Sequence, residues 1–145
     1  MTEVKIKMLA GCEDLFPTKA HADDAAWDLR ARQDMVLPMR RSVLVPTGIF
    51  MEIPVGFEVQ VRPRSGLALK HDLMLTNSPG TIDSGYRGEL GVIMYNGGTE
   101  PFRISRGDRI AQMVVNRLPE VQLVAVAELS SSERGAGGFG SSGRN

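Results

Sequence analysis

Apolar and polar residues alternate with a period of two through much of the chain. "VKIKM" alternates from Val4 to Met8. In "FEVQVR", Phe57, Val59 and Val61 share one face while Glu58, Gln60 and Arg62 share the other. Such alternation marks a half-buried strand. "GVIMYN", "PFRI" and "RIAQMVVNRL" are further apolar, branched-rich runs, and "VQLVAVAEL" near the end alternates less cleanly. Glycine and proline punctuate these runs at "VPTG", "IPVG", "SPGT", "YNGGTEP" and "SRGD". Short strands at this spacing predict an all-β sandwich or barrel. One segment departs from the rhythm: "SGLALKHD", Ser65 to Asp72, carries Leu, Ala and Lys at helical spacing. It predicts one short helix of about two turns, with Ser65 as its cap.

The totals narrow the class. A chain of 145 residues suits one domain with a real core. Its 17 acidic and 17 basic side chains balance, which argues against a general polyanion-binding surface, so no nucleic-acid partner is expected. Cys12 is the single cysteine and can form no intrachain disulfide. His21 and His71 are the only histidines, and neither sits in a Cys/His cluster of the kind that holds zinc. No run approaches the roughly 20 apolar residues that span a bilayer. The N-terminus lacks a continuous apolar stretch of signal-peptide type. The expectation is a soluble cytoplasmic protein with no membrane partner.

Four polar constellations interrupt the strands. In "AAWDLRA", Asp28 lies between Trp27 and Leu29, either as a turn aspartate or as a partly buried carboxylate that needs partners. In "VRPRSGLA", Arg64 precedes the helix start at Ser65-Gly66. A guanidinium, a hydroxyl and backbone N–H groups there would make a compact phosphate site, or simply an ordinary helix start. "TNSPGTIDSGYRGE", Thr76 to Glu89, reads as a β-hairpin with a turn at its mouth. Within it Asn77 both donates and accepts, Asp83 has the chemistry of a general base for water, and Tyr86 offers a platform for a sugar. In "SRGDRIAQMVV", a turn at Arg106–Asp108 leads into a strand, and Gln112 points opposite to Ala111, into a site or onto a wet face.

The fifth segment is "RGAGGFGSSG", Arg134 to Gly143, where half the residues are glycine. Such an end is a flexible coil, or a mobile lid whose arginine pairs with phosphate and whose phenylalanine stacks on a base. Together the five segments suit an anionic ligand with a planar ring and a water-driven step.

These motifs, "DAAWDLRA", "PRSGLA", "NSPGTIDSGYRGE", "GDRIAQ" and "RGAGGFGSSG", occur in the order found in the trimeric deoxyuridine triphosphatase (dUTPase) family, which the chain resembles from Asp24 to Gly143. The resemblance implies a distorted jelly-roll-like β-barrel over residues 1–129. It also implies a Gly/Ser-rich arm over residues 130–145 that closes over the active site. It implies a homotrimer with three active sites at subunit interfaces, and hydrolysis of dUTP to dUMP and pyrophosphate. Asp83 then corresponds to the base that activates water against the α-phosphorus, and Tyr86 to the ring under deoxyribose. Asn77, with the neighbouring Thr81 and Ile82, corresponds to the uracil reader. Arg64, Ser65 and Gly66 correspond to the phosphate site, and Gln112 to a phosphate- or water-contacting amide. Asp28 corresponds to the acid that holds Mg2+ through metal-bound water, the ion being carried mainly by the triphosphate. In the arm, Arg134 would reach the terminal phosphate, Phe139 with Gly140 would cover uracil, and Ser141 and Ser142 would add hydroxyl contacts.

The chain departs from the family pattern at Ala26, where glycine is usual, at the bulky Trp27, and at Ser142, where threonine is commoner. None of these removes a reacting group. The nearest rival on the same fold, dCTP deaminase, places a glutamate at about the position of Ile93, where this chain has no carboxylate. A non-catalytic nucleotide sensor is a third reading, against which the presence of Asp83 argues.

Overall fold

The computed structural model describes residues 1–144. Its elements follow in the order β1 (Lys5–Met8), β2 (Trp27–Arg30), β3 (Met35–Leu37), β4 (Ser42–Pro46), β5 (Ile49–Glu52), β6 (Phe57–Arg62), α1 (Ser65–His71), β7 (Leu73–Leu75), β8 (Gly80–Ile82), β9 (Gly91–Asn96), β10 (Phe102–Ile104) and β11 (Arg109–Arg117). A 3-10 turn, Glu13–Leu15, lies between β1 and β2. The strands form a four-stranded sheet β2-β11-β6-β8, a three-stranded sheet β4-β9-β7, and the pairs β1-β5 and β10-β3. Every strand pair is antiparallel. The β-barrel expected from the sequence is therefore built of sheets wrapped around one core, with α1 as its only α-helix among the described residues. Among the described residues no helix is long and apolar enough to cross a membrane.

The period of two becomes burial. In β6, Val59 and Val61 are buried and Phe57 packs against the core. The opposite face carries a polar ladder in which Arg62 Nη2 donates to Gln60 Oε1 and Gln60 Nε2 to Glu58 Oε1. In β9, Val92, Met94 and Asn96 point inward. One contiguous cluster takes side chains from all four sheets, among them Leu29 and Val59, Val45 and Met94, Ile49, and Leu37 with Ile104. Each such side chain contributes about 1.5–3 kcal/mol when fully buried. The two buried polar side chains are bonded. Asn96 Nδ2 donates to the carbonyls of Leu37 and Glu100, and Thr47 Oγ1 donates 2.6 Å to the Leu90 carbonyl.

Three expectations are corrected. Thr76 to Glu89 is not a hairpin. β8 pairs with β6, Val61 opposite Gly80 and Val59 opposite Ile82, while β7 pairs with β9. The chain therefore crosses from one sheet to the other between Leu75 and Gly80. Gly80 packs closely at this crossing: a Cβ there would stand at ordinary contact distance, 3.5 Å, from Val61 Cβ and 3.3 Å from Asn77 Nδ2. Ser65 is not the helix cap. Arg64 holds the extended cap position (φ −93°, ψ 130°) with no side-chain capping bond, and Ser65 is already helical. The third correction concerns "VQLVAVAEL", which forms no strand. Regular structure ends at Arg117, Leu118 N–H still donates to the Gly56 carbonyl, and Val121, Leu123, Val124, Val126 and Leu129 are exposed. A strand needs a neighbour for its backbone groups, and the rest of this chain supplies none.

Candidate active site

The loop after β8 builds the first half of the site. Asp83 and Tyr86 close a turn in which Tyr86 N–H donates to the Asp83 carbonyl at 3.1 Å. The Tyr86 ring lies over Gly88, where any Cβ would collide with it. Its hydroxyl donates to the Glu89 carbonyl at 2.9 Å. The loop then rejoins the barrel at Leu90, whose N–H donates to the Ile49 carbonyl. Asn77, Gly80, Thr81, Ile82, Asp83 and Tyr86 thus line one cavity of about 210 Å³. Its inner wall is apolar, with Val61, Leu75, Val92 and Ile93. The Asp83 carboxylate is exposed and forms no hydrogen bond or ion pair among the described residues. Glu89, which sequence reasoning did not single out, also lines this cavity. Its carboxyl is held below the ordinary glutamate value by the hydrogen bond from Arg32, with the Gly48 N–H acting in the same sense against partial burial.

Strand register builds the second half. β11 lies between β2 and β6, which sets Gln112 opposite both Asp28 and Arg62. A register shift between Arg109 and Ala111 buries Ile110 and Ala111 in succession, as an extra residue in a strand allows. Arg109 is thereby released toward Asp28. Asp28 faces two guanidinium groups, with Arg64 Nε 3.6 Å from one carboxylate oxygen and Arg109 Nη1 3.4 Å from the other. Arg64 Nη1 also donates to the Arg109 carbonyl, and Gln112 Nε2 to the Pro63 carbonyl at 3.0 Å. Asp28, Arg64, Ser65, Gly66, Arg109 and Gln112 line a cavity of about 360 Å³. Asp24, Ala25 and Ala26 complete its wall. Trp27 is absent from that wall: alternation along β2 turns it to the other face, where it packs against the core beneath the Lys19 ammonium, 4.0 Å from the ring centroid.

Arg109 carries no local signal in the sequence: it follows the "SRGD" turn, and the bulge that frees its side chain has no signature there. The "GDRIAQ" motif that contains it was the available signal.

The arm supplies neither cavity. Arg134 Nε donates to the Gly137 carbonyl, and the remaining hydrogen bonds from Ser132 to Gly143 are local turns. Gly135, Gly140 and Gly143 take positive φ, as does Phe139, which is fully exposed. Phe139, Gly140, Ser141 and Ser142 therefore stand apart from the barrel. No residue lines both cavities. The predicted site residues fall into two cavities with no lining residue in common and an arm that lines neither.

Among the described residues no three His, Cys, Asp or Glu side chains cluster as metal ligands. With Asp28 opposite two cations, the donor set fits an ion brought in on phosphate oxygens and met through water.

The chain matches the dUTPase family over residues 14–143. It is 54% identical over 132 residues to the deoxyuridine 5'-triphosphate nucleotidohydrolase of Solibacter usitatus, covering 90% of this chain and 89% of that protein. With the enzyme of the same description from Clostridium acetobutylicum it shares 49% identity over 143 residues, 99% of this chain and 98% of the other. Among solved structures, Staphylococcus bacteriophage 80alpha dUTPase with dUPNHPP superposes with a TM-score of 0.89 at 28% identity, covering 99% of this chain and all of that one. A family match across nearly the whole described chain, carried by relatives about half identical along their length, places the protein in the dUTPase family.

Proposed function

We propose that the chain is a dUTP diphosphatase that hydrolyses dUTP to dUMP and pyrophosphate at sites completed by neighbouring copies. Family membership carries the reaction. The observation that carries the residue assignment is the division of the five motifs among a nucleoside-sized cavity, a cavity where Asp28 meets two guanidinium groups, and a detached arm.

In this reading the first cavity takes deoxyuridine. Asn77, with the backbone at Thr81 and Ile82, reads the uracil edge. The apolar Val61–Leu75–Val92 wall bounds the base, so thymine, larger by a methyl group, would be rejected by size. The Tyr86 ring underlies the sugar and excludes a 2′-hydroxyl. Apolar Ile93 in the same wall has no proton to offer an amine, which favours hydrolysis of the triphosphate over deamination. The second cavity takes the phosphates through Arg64, Arg109, Gln112 and the backbone at Ser65 and Gly66. A triphosphate is a stronger partner for two guanidinium groups than one carboxylate, so its arrival would free Asp28. Asp28 would then meet Mg2+ through water, and the ion supplies neutralisation of phosphate charge when bound.

Asp83 takes a proton from water as its oxygen attacks the α-phosphorus. The bond from that phosphorus to the bridging oxygen breaks, and the electron pair leaves with pyrophosphate. The arm folds over from another copy, bringing Arg134 to the terminal phosphate and Phe139, Gly140, Ser141 and Ser142 over the nucleoside. Closure of this kind excludes water and completes the charge-stabilising shell. The exposed apolar run Val121–Leu129 supports a homotrimer in which each chain lends that run to a neighbour. A cytoplasmic location belongs to the same reading.

Pyrophosphate release measured across dUTP, dTTP, dCTP and UTP tests the proposal. Turnover confined largely to dUTP is expected. Equal turnover of dTTP, or binding of dUTP without pyrophosphate release, contradicts it.

A further inference from the structure

We propose that Arg32 and Glu89 form a positioning clamp that fixes the Tyr86 ring and so sets the preference for deoxyribose over ribose. The inference rests on the nucleoside reading of the Asp83–Tyr86 cavity. Neither residue need touch the substrate.

The chain of contacts is continuous. Tyr86 is bound to the Glu89 main chain through its hydroxyl, 2.9 Å from the carbonyl oxygen. The Glu89 side chain is gripped on both oxygens, by Arg32 Nε at 2.6 Å on one and Arg32 Nη2 at 3.4 Å on the other. Gly48 N–H adds a third donor at 2.8 Å. The receiving side is itself fixed. Arg32 N–H donates to the Pro46 carbonyl at 3.0 Å. Gly48 has φ +74°, and a Cβ there would lie 3.0 Å from Cys12 Cβ and Sγ. Both charged side chains are about three-quarters buried, with exposures of 28% and 26%. A fork-shaped guanidinium fixes direction as well as distance.

The clamp is therefore a strut from the end of β2 and the β4–β5 turn to the residue that holds the tyrosine. Tyr86 itself is half exposed, and its own hydroxyl bond is the contact that ties it to this strut. A sugar platform that must exclude one hydroxyl needs placement to a fraction of an ångström, and this strut supplies it.

The test compares kcat/KM for dUTP and UTP in the parent and in Arg32→Met, Arg32→Lys, Tyr86→Phe and Arg32→Met/Tyr86→Phe, all assembled as full chains. Arg32→Met keeps the aliphatic stem and removes the fork. It should lower the dUTP-to-UTP ratio about tenfold, chiefly by lowering KM for UTP as the clash with the 2′-hydroxyl is relieved. Arg32→Lys should recover part of the loss. In the double variant the second change should add little, because both act through one ring. If Arg32→Met does not fold, as judged by circular dichroism, Glu89→Gln replaces it in the same cycle and decides the question in the same way. Equal slowing of both nucleotides, or losses that multiply in the double variant, overturns the clamp. A parent that releases no pyrophosphate from dUTP defeats the functional reading instead, so the two failures are distinguishable.

Discussion

The two cavities are prepared in opposite ways. The cavity at Asp83 and Tyr86, which the proposed function gives to the nucleoside, is held by bonds that on that reading need not change: Tyr86 to the Glu89 carbonyl, Glu89 to Arg32 and Gly48, and Leu90 to Ile49. The second cavity is held by the pairing of Asp28 with Arg64 and Arg109, which on the proposed reading must change, because a triphosphate would take those two guanidinium groups. The first is a mould. The second is a set of charges neutralised against one another until a better anion arrives. A neutral, shape-selected base suits the first, and a highly charged tail suits the second.

That contrast can be broken at several points. The largest effect is expected at the mould's reacting group. Asp83→Asn should lower kcat about 10²–10⁴-fold while leaving dUMP affinity within about a factor of two. Near-parental turnover in a pyrophosphate assay would remove Asp83 as the base. Next comes the arm. A chain ending before Arg134 should lose on the order of 10²-fold in kcat/KM and keep its assembly state by light scattering, and an unchanged rate would leave the arm without a role in closure.

At the phosphate cavity, Arg109→Ala should weaken dUTP about tenfold, the scale of one charge-assisted hydrogen bond. It should also flatten the dependence of affinity on ionic strength and leave dUMP binding less affected. A uniform loss on both nucleotides would erase the division of labour between the cavities.

The smallest effect is on stability. Glu89 has its carboxyl held below the ordinary value of 4.5 by Arg32 in the folded chain. The unfolded chain then takes up the proton at higher pH than the folded one. The pair's contribution is thus present above the ordinary glutamate range and is lost as pH falls through the lowered native value. Melting temperatures recorded from neutrality downward should fall through that range in the parent, and fall less steeply there in Arg32→Met.

How much of this could be read from the sequence follows from the range of the interactions. β6 was legible because its alternation is local and its apolar face is covered throughout. The helix at Ser65–His71 was legible from spacing, but the role of Ser65 was not, since the chain is already helical at that residue. Asn77, Asp83 and Tyr86 lie close in sequence and share a cavity. Their loop was still misread as a hairpin, because β8 finds its partner in β6 rather than beside itself. Asp28 and Gln112 meet only through the register of β2 on β11, and Arg109 joins them only through a bulge. Neither is written in a local pattern. The run Val121–Leu129 has the composition of a strand and no partner within the chain, so its expectation failed for want of a neighbour rather than of propensity.

The central claim is that one active site draws on more than one chain, and mixed assembly tests it directly. Asp83→Asn chains and chains truncated before Arg134, each nearly inactive alone, are refolded together and assayed for pyrophosphate release from dUTP. If sites are shared, some combine an intact Asp83 from one chain with an intact arm from another. Activity should then return to about a quarter of the parental level at equal mixing with random assortment. If the mixture stays as inactive as its components while still assembling, each site is complete within a single chain and the claim is wrong.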